Sequence, residues 1–395
     1  MMQNFEYFTP TKVLFGKGTE NQVGELIQSR NCKRVLIHYG QGHVVSTGLL
    51  EKITLQLSKL KIQYELLGGV KPNARLSKVH EGILICREKK IDFILAIGGG
   101  SVIDSAKAIG YGVYYDGEVW DLFEKKAFPK KSLPVGVVLT HAASGSEMSS
   151  TAGITNDIVG NMKRGCTSDI GRCVFAVMNP ELTMSLSEYQ TSCGCVDIFM
   201  HTVERYFSSE EGMEITDSIA EALMRTVIKN SLLLKENPND YNARAEIMWA
   251  GSLSHNGLTG CGSQGDWACH QLEHALSGIY DVTHAAGLSA IWGSWARYVV
   301  HSKPERFAAF AERVMGVSCE QRNVMERALC GIKEVENFFI KLNMPISLKQ
   351  LKLGLTNDSL RKIVYYCSYK NTRCIGDIKK IDCEGMYTIL KNALE

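Results

Sequence analysis

Along the first 180 residues, apolar positions come in short runs closed by small or polar residues, and these runs alternate with stretches at helical spacing. The run Arg34-Val35-Leu36-Ile37-His38-Tyr39 predicts a buried strand that enters Gly40-Gln41-Gly42, and Ser46 to Lys59 predicts the helix that follows. Ile91 to Ile97 predicts a second strand, succeeded by Gly98-Gly99-Gly100-Ser101 and a helix carrying Val102, Ile103, Ala106 and Ile109. Val135 to Leu139 and Cys173 to Val177 predict further strands. Alternation of this kind is the pattern of a parallel sheet covered by helices. Beyond Pro180 the spacing changes to threes and fours, as in Ile219, Leu223, Val227 and Leu234, and in Val324, Ala328, Leu329, Ile332, Val335 and Phe339. These stripes predict buried faces of long helices, with Pro238 and Pro345 placed after them, where they end a helix without breaking it.

A chain of 395 residues exceeds one ordinary core. The change of texture divides it into an α/β domain over 1–185 and an all-helical domain over 186–395, with the active site expected between them. Apolar content of 45%, charged content of 22% and a net charge of +2 describe a folded protein with no global attraction for nucleic acid or an acidic membrane. No run approaches the roughly 20 apolar residues of a membrane-spanning helix. Thirteen cysteines, an odd number without paired C-x-x-C spacing, and an amino terminus unlike a secretory signal predict free thiols in the cytoplasm. Cys193, Cys195, Cys261 and Cys269 read as small packing residues.

The helical half carries concentrated chemistry. Asp197 and His201 stand at i and i+4 in CGCVDIFMHTVERYF, so both side chains leave one helix face. His270 and His274 are again i and i+4 in WACHQLEHALSGIYDVTHAAGL, where Ser277-Gly278 is expected to end the helix before His284. A lone histidine on an apolar face is ordinarily a bonded core residue. Five of the chain's ten histidines, however, fall between positions 201 and 284. Asp197, His201, His270 and His284 together make one carboxylate and three imidazoles, a set that suits Fe²⁺ or Zn²⁺.

In the other half, Gly98-Gly99-Gly100-Ser101 directly follows a strand and directly precedes a helix, which directs backbone N–H groups and the positive helix end at one point. The bland alternative is a tight turn that needs positive φ. A second such turn, Ala143-Ser144-Gly145-Ser146-Glu147, follows another strand, and two turns at strand ends suit a ligand with two phosphates.

Dinucleotide beside divalent metal is the combination found in iron-containing, or group III, alcohol dehydrogenases, and the chain resembles that family over nearly its whole length. The resemblance rests on FTPTKVLFGKG, KPNARLSKVHEG, DFILAIGGGSVIDSAKAIG, TSDIGRCVFAVMNPELTMSL, CVDIFMHTVERY and NGLTGCGSQGDWACHQLEHALSGIYDVTHAAGL, and it is nearest to the butanol dehydrogenase and NADPH-dependent aldehyde reductase branch. It implies a fold of the dehydroquinate synthase type: a dinucleotide-binding α/β domain with a parallel sheet, and an all-α domain that holds metal and substrate. It assigns Asp197, His201, His270 and His284 to the metal, and Gly98, Gly99, Gly100 and Ser101 to the pyrophosphate with Asp104 supporting the turn. Gly40, Asn73, Thr140, Ser144, Ser146, Lys163 and Thr183 would lie along the rest of the dinucleotide. No Asp or Glu follows the strand at Val35 to Tyr39 to take a ribose 2′-hydroxyl, which favours NADP(H) over NAD(H).

The implied reaction is reversible hydride transfer between the nicotinamide and a primary alcohol or its aldehyde, such as butanol and butanal. His274, one turn past His270, is read as a proton relay. Phe199, Trp267, Cys261 and Gly262 are read as an apolar pocket for a short chain. Rival readings are a polyol oxidoreductase like glycerol dehydrogenase and a metal-dependent lyase like dehydroquinate synthase. The lyase would need several Lys and Arg residues near the metal, and only Arg205 is there. The resemblance also implies a homodimer.

Overall fold

The computed structural model describes residues 1–395 except Cys319 and Gln321. Contacts divide the chain into two compact units, residues 8–186 and residues 1–7 with 187–395.

The first unit contains β1 (Lys12–Phe15), α1 (Val23–Gln28), β2 (Arg34–Gly40), α2 (His43–Ser46), α3 (Leu49–Lys59), β3 (Gln63–Val70), α4 (Leu76–Glu88), β4 (Phe93–Gly98), α5 (Gly100–Val113), α6 (Trp120–Phe123), β5 (Val135–Leu139), β6 (Thr151–Asn156), β7 (Met162–Thr167) and β8 (Phe175–Met178). Six strands form a sheet in the order β1-β8-β5-β4-β2-β3, with every pairing parallel, and β6 and β7 form a separate antiparallel pair. The uninterrupted apolar runs became the inner strands: Val35, Leu36, Ile37 and Phe93 to Ile97 are fully buried, as strands covered on both faces must be. Edge strands β1 and β3 are half exposed and mix polar with apolar residues, which is why no run announced β3. The helix expected over 46–59 is two pieces, because Gly48 adopts φ 75° between α2 and α3. The strand expected over 173–177 begins at Phe175, and the Cys173 carbonyl instead accepts the Thr11 hydroxyl at 2.7 Å.

The second unit is helical: α7 (Glu188–Tyr206), α8 (Glu214–Glu236), α9 (Tyr241–His255), α10 (Ala268–Tyr280), α11 (His284–Val299), α12 (Pro304–Arg313), α13 (Val324–Lys341), α14 (Asn357–Cys367) and α15 (Cys383–Leu394). Ser187 and Gln190 close a reciprocal capping box that starts α7. Leu223, Val227 and Leu234 are buried on α8, as are Ala328, Ile332, Val335 and Phe339 on α13. Leu329 departs from the expected stripe and is 43% exposed, because it lies about 100° around the helix from Ala328. Helix α10 does not stop at Ser277-Gly278: both stay helical and buried, and Asp281 at φ 54° ends it with its N–H on the Ser277 carbonyl. No described helix is long and apolar enough to cross a membrane.

Candidate metal centre and nucleotide turns

Helix α7 presents Asp197 and His201 on consecutive turns, both buried. His201 Nδ1 lies 2.9 Å from the Asp197 carbonyl, an acceptor only, so Nδ1 carries the proton and Nε2 keeps its lone pair. Burial, then the neighbouring His255 and His270 rings, hold His201 well below the ordinary imidazole range, which keeps it a neutral donor.

His270 is oriented by a residue absent from the sequence reading. Glu204, fully buried one turn past His201, accepts the Cys269 N–H at 2.7 Å, the His270 N–H at 3.2 Å and the His270 Nδ1–H. It therefore caps the first turn of α10, whose own N-cap, Trp267, sits at φ 60° without a side-chain cap. Glu273 does the same for His284, the first residue of α11: it is fully buried, and its two oxygens accept from His284 Nδ1 and the Ser277 hydroxyl. A Cβ on Gly287 would stand 2.8 Å from Glu273 Cγ, so the glycine makes room for this carboxylate. Glu273, His274 and His284 are also close enough to suggest a second metal group. The carboxylate is already committed to His284 and Ser277, so it supports the first group and does not found another.

The imidazoles and Asp197 converge. Ligand atoms of Asp197, His201 and His270 lie within 4.8 Å of one another, and His284 Nε2 is 3.7 Å from Asp197 Oδ1. Ring centres of His270 stand 4.5 Å from His201 and 5.3 Å from His284. Asp197 Oδ1 and His270 Nε2 are buried without any hydrogen bond, a cost of about 1–3 kcal/mol apiece if left so. One divalent cation satisfies both, and the residues present fit it. His274, half-buried, has its ring centre 6.3 Å from His270 and 5.5 Å from His284. The His255 ring lies 4.2 Å from that of His201, tilted against it. Trp267 packs 5.4 Å from His270 beneath the Arg205 guanidinium, 4.4 Å from the indole. Phe199 does not belong to a pocket: it is fully buried against Phe338 and Phe339.

In the α/β unit, Gly40, Asn73, Gly98 to Ser101, Thr140 to Ser146 and Thr183 lie at or just beyond the carboxyl ends of β2, β3, β4, β5 and β8. A parallel sheet places those ends along one edge, where dinucleotides bind. Gly98, Gly99 and Gly100 are not positive-φ turns. They are small because of crowding: a Cβ on Gly100 would stand 2.2 Å from Ser144 Oγ, and one on Gly99 2.9 Å from His141 Cβ. No side chain caps α5, which leaves its first N–H groups for an anion. Asp104 ties the two turns, accepting from the Ser146 hydroxyl and from Gly153 N–H at 2.9 Å. Burial raises its carboxyl above the usual range. Lys107, one turn later and fully buried, donates to the carbonyls of Ser146, Ser149 and Thr151 at 2.6, 2.9 and 3.0 Å. Its position three residues after Asp104 was the available signal. Asn73, at φ 56°, accepts from Lys163 Nζ at 3.0 Å, so these two meet. The Thr183 hydroxyl is bonded to the Pro180 carbonyl at 2.7 Å.

Family models described as iron-containing alcohol dehydrogenase and as the C-terminal region of the Fe-containing alcohol dehydrogenase family match residues 10–180 and 191–394. The chain is 39% identical to NADH-dependent butanol dehydrogenase A of Clostridium acetobutylicum, over 99% of this chain and 100% of that one. It is 34% identical to the NADPH-dependent aldehyde reductase YqhD of Escherichia coli, over 91% of each. The crystal structure of NADH-dependent butanol dehydrogenase A from Thermotoga maritima superposes with a TM-score of 0.95 at 36% identity, covering 100% of this chain and 99% of that one.

Proposed function

Since the chain belongs to the iron-containing alcohol dehydrogenase family, we propose that it is an NAD(P)-dependent oxidoreductase that interconverts primary alcohols and their aldehydes, butanol and butanal among them. The observation that carries this reading is the pair of buried, unsatisfied ligand atoms, Asp197 Oδ1 and His270 Nε2. A divalent iron or zinc ion held by Asp197, His201, His270 and His284 would supply Lewis-acid polarisation of the substrate oxygen. Glu204 and Glu273 fix the His270 and His284 rings with Nε2 turned away from their own carboxylates. His274 stands beside the ligands without being needed by them, and exchanges the proton that the alcohol loses or the aldehyde gains. Gly98 to Ser101 receive the pyrophosphate, with Asp104 and Lys107 holding the second turn against the first. Arg205, the guanidinium near the ligands among the described residues, is bonded to the His201 carbonyl at 2.9 Å and is unsuited to the phosphate of a lyase substrate.

Turnover of butanal with NADPH by metal-reconstituted protein, lost on chelation and restored by Fe²⁺ or Zn²⁺, is the expected result. Cofactor oxidation that ignores metal or aldehyde refutes the reading. The absence of a carboxylate after β2 favours NADP(H), and the ratio of kcat/KM for NADPH and NADH measures that preference. For His274→Ala we expect full metal content with a lower kcat and a changed pH profile; unchanged turnover removes the relay role. A cytoplasmic homodimer completes the proposal, supported by the exposed apolar residues Phe5, Phe8 and Phe15, and light scattering in solution tests it.

A further inference from the structure

In the large sheet β4 and β5 lie between β2 and β8, yet the segments that follow those two outer strands are joined. His43 Nε2, on the short helix α2 after β2, lies 2.7 Å from the hydroxyl of Ser185, just past the single turn Pro180–Thr183 after β8. The bond therefore links two segments that flank the ends of β4 and β5, from which the turns at Gly98 to Ser101 and Thr140 to Ser146 emerge. Gly40 and Thr183, each assigned above to the dinucleotide, are three and two residues away along the chain.

The α2 segment is otherwise weakly tied. Helix α2 is four residues long, no described side chain caps it, and it stands between Gly42 at φ −177° and Gly48 at φ 75°. Val44 packs on a core cluster with Val138 and Val177, and Leu182, partly buried, packs against the same cluster. The rest of residues 41–47 is exposed or partly so. A Cβ on Gly42 would meet nothing within 4 Å, so neither crowding nor backbone demands a glycine there, and open space lies beside the bond. We propose that His43 and Ser185 form a clasp that holds the two segments at the spacing required by the adenosine end of the dinucleotide, and so orders that part of the site before the cofactor arrives. The proposal rests on the dinucleotide reading, and the end of β2 is where a sheet of this kind meets the adenosine ribose. An exposed hydrogen bond adds little to the stability of the whole protein. A wall that is already ordered, however, need not be ordered at the ligand's expense, and affinity gains by that amount.

The test titrates metal-loaded protein with NADPH and with NADH by nucleotide fluorescence, and with ADP-ribose by competition. His43→Ala and Ser185→Ala should each weaken both coenzymes by about threefold to tenfold, the range of one hydrogen bond, and ADP-ribose, which lacks the nicotinamide, by the same factor. The double variant should be no weaker than either single one. Ser185→Thr keeps the hydroxyl and should bind as the parent does. Both side chains are exposed, so metal content should be unchanged and thermal midpoints should stay within about 2 °C of the parent. A loss confined to NADPH would overturn the clasp, because that is the signature of a direct contact between His43 and the 2′-phosphate. Unchanged affinities, losses that add in the double variant, or a loss absent with ADP-ribose would overturn it as well. Parent protein that binds neither coenzyme would overturn the dinucleotide reading, and the clasp with it.

Discussion

The proposed metal centre and the proposed nucleotide turns are built on opposite principles. At the proposed metal centre, the arrangement rests on side chains whose positions are dictated by other side chains: Glu204 and Glu273, both fully buried, hold imidazoles at fixed tautomers and cap or brace the helices that carry them. At the turns, function rests on backbone, and the side chains are conspicuous by being small, since the glycines at 99 and 100 leave space that His141 and Ser144 occupy. The first kind of site is vulnerable above all to changes of chemical identity, although a methyl group at Gly287 would press on Glu273. The second tolerates chemical change and fails on added volume.

Removing a ligand should give the largest effect. Asp197→Asn or His270→Ala is expected to lower turnover by at least about a thousandfold, more than the loss of a single electrostatic donor ordinarily costs. Metal content by elemental analysis should fall with it, while NADPH affinity by fluorescence titration stays within about twofold. A parallel loss of NADPH binding would show that the two sites are not independent in construction. One step weaker, Glu204→Gln keeps the shape but weakens the bond to His270, and metal affinity measured against a competing chelator should drop about 10–100-fold. If Glu204→Gln binds metal as the parent does, the carboxylate serves only as a helix cap.

How much of each site could be read in the sequence follows from the same contrast. The proposed ligands Asp197, His201, His270 and His284 stand out in the sequence because helical spacing and an unusual density of histidine mark them. Glu204 and Glu273 do not, although each lies three residues past a ligand, because a glutamate on a helix is ordinarily a solvated one and only burial distinguishes it. The glycine turn was legible as a motif, but one of its constraints was not: Gly99 and Gly100 must also clear His141 and Ser144, a long-range fact that no local pattern carries. Similarly, the inner strands declared themselves as apolar runs, whereas β3, half exposed at a sheet edge, and the end of α10, set by Asp281 at positive φ, depended on tertiary surroundings.

Gly100→Ala sharpens the other side of the comparison. Its Cβ would meet Ser144 Oγ at 2.2 Å, so the two turns must separate or the serine must turn away. Overpacking of this kind costs about 1–3 kcal/mol, and we expect cofactor affinity to fall about tenfold with metal stoichiometry unchanged. Adding Ser144→Gly to Gly100→Ala removes the obstructing atom and should recover much of that loss. Failure of the double variant to recover would mean that the Ser144 hydroxyl itself is needed by the cofactor.

The smallest effect concerns the α/β unit alone and is read in stability. His38 is fully buried in β2, with Nδ1 at 2.9 Å from the Leu67 carbonyl and Nε2 at 2.9 Å from the Ser105 hydroxyl on α5, and burial lowers its pKa to about 4. The unfolded chain, with an ordinary imidazole near 6.5, binds the proton that the folded state refuses, so acid favours unfolding across that window and the penalty is complete below the folded value. Between pH 6 and 5 the loss is about 1 kcal/mol. Asp266, raised by burial to about 6, titrates over the same range with the opposite sign, because there the folded state is the one that binds the proton. Wild type alone would therefore show a blunted slope. The difference between wild type and His38→Gln cancels the Asp266 contribution, and denaturant titrations at pH 6 and pH 5 should show the advantage of wild type shrinking by that 1 kcal/mol. An advantage that is the same at both values would mean that His38 is accommodated with its proton, and that the Leu67 carbonyl and Ser105 hydroxyl can both accept from it.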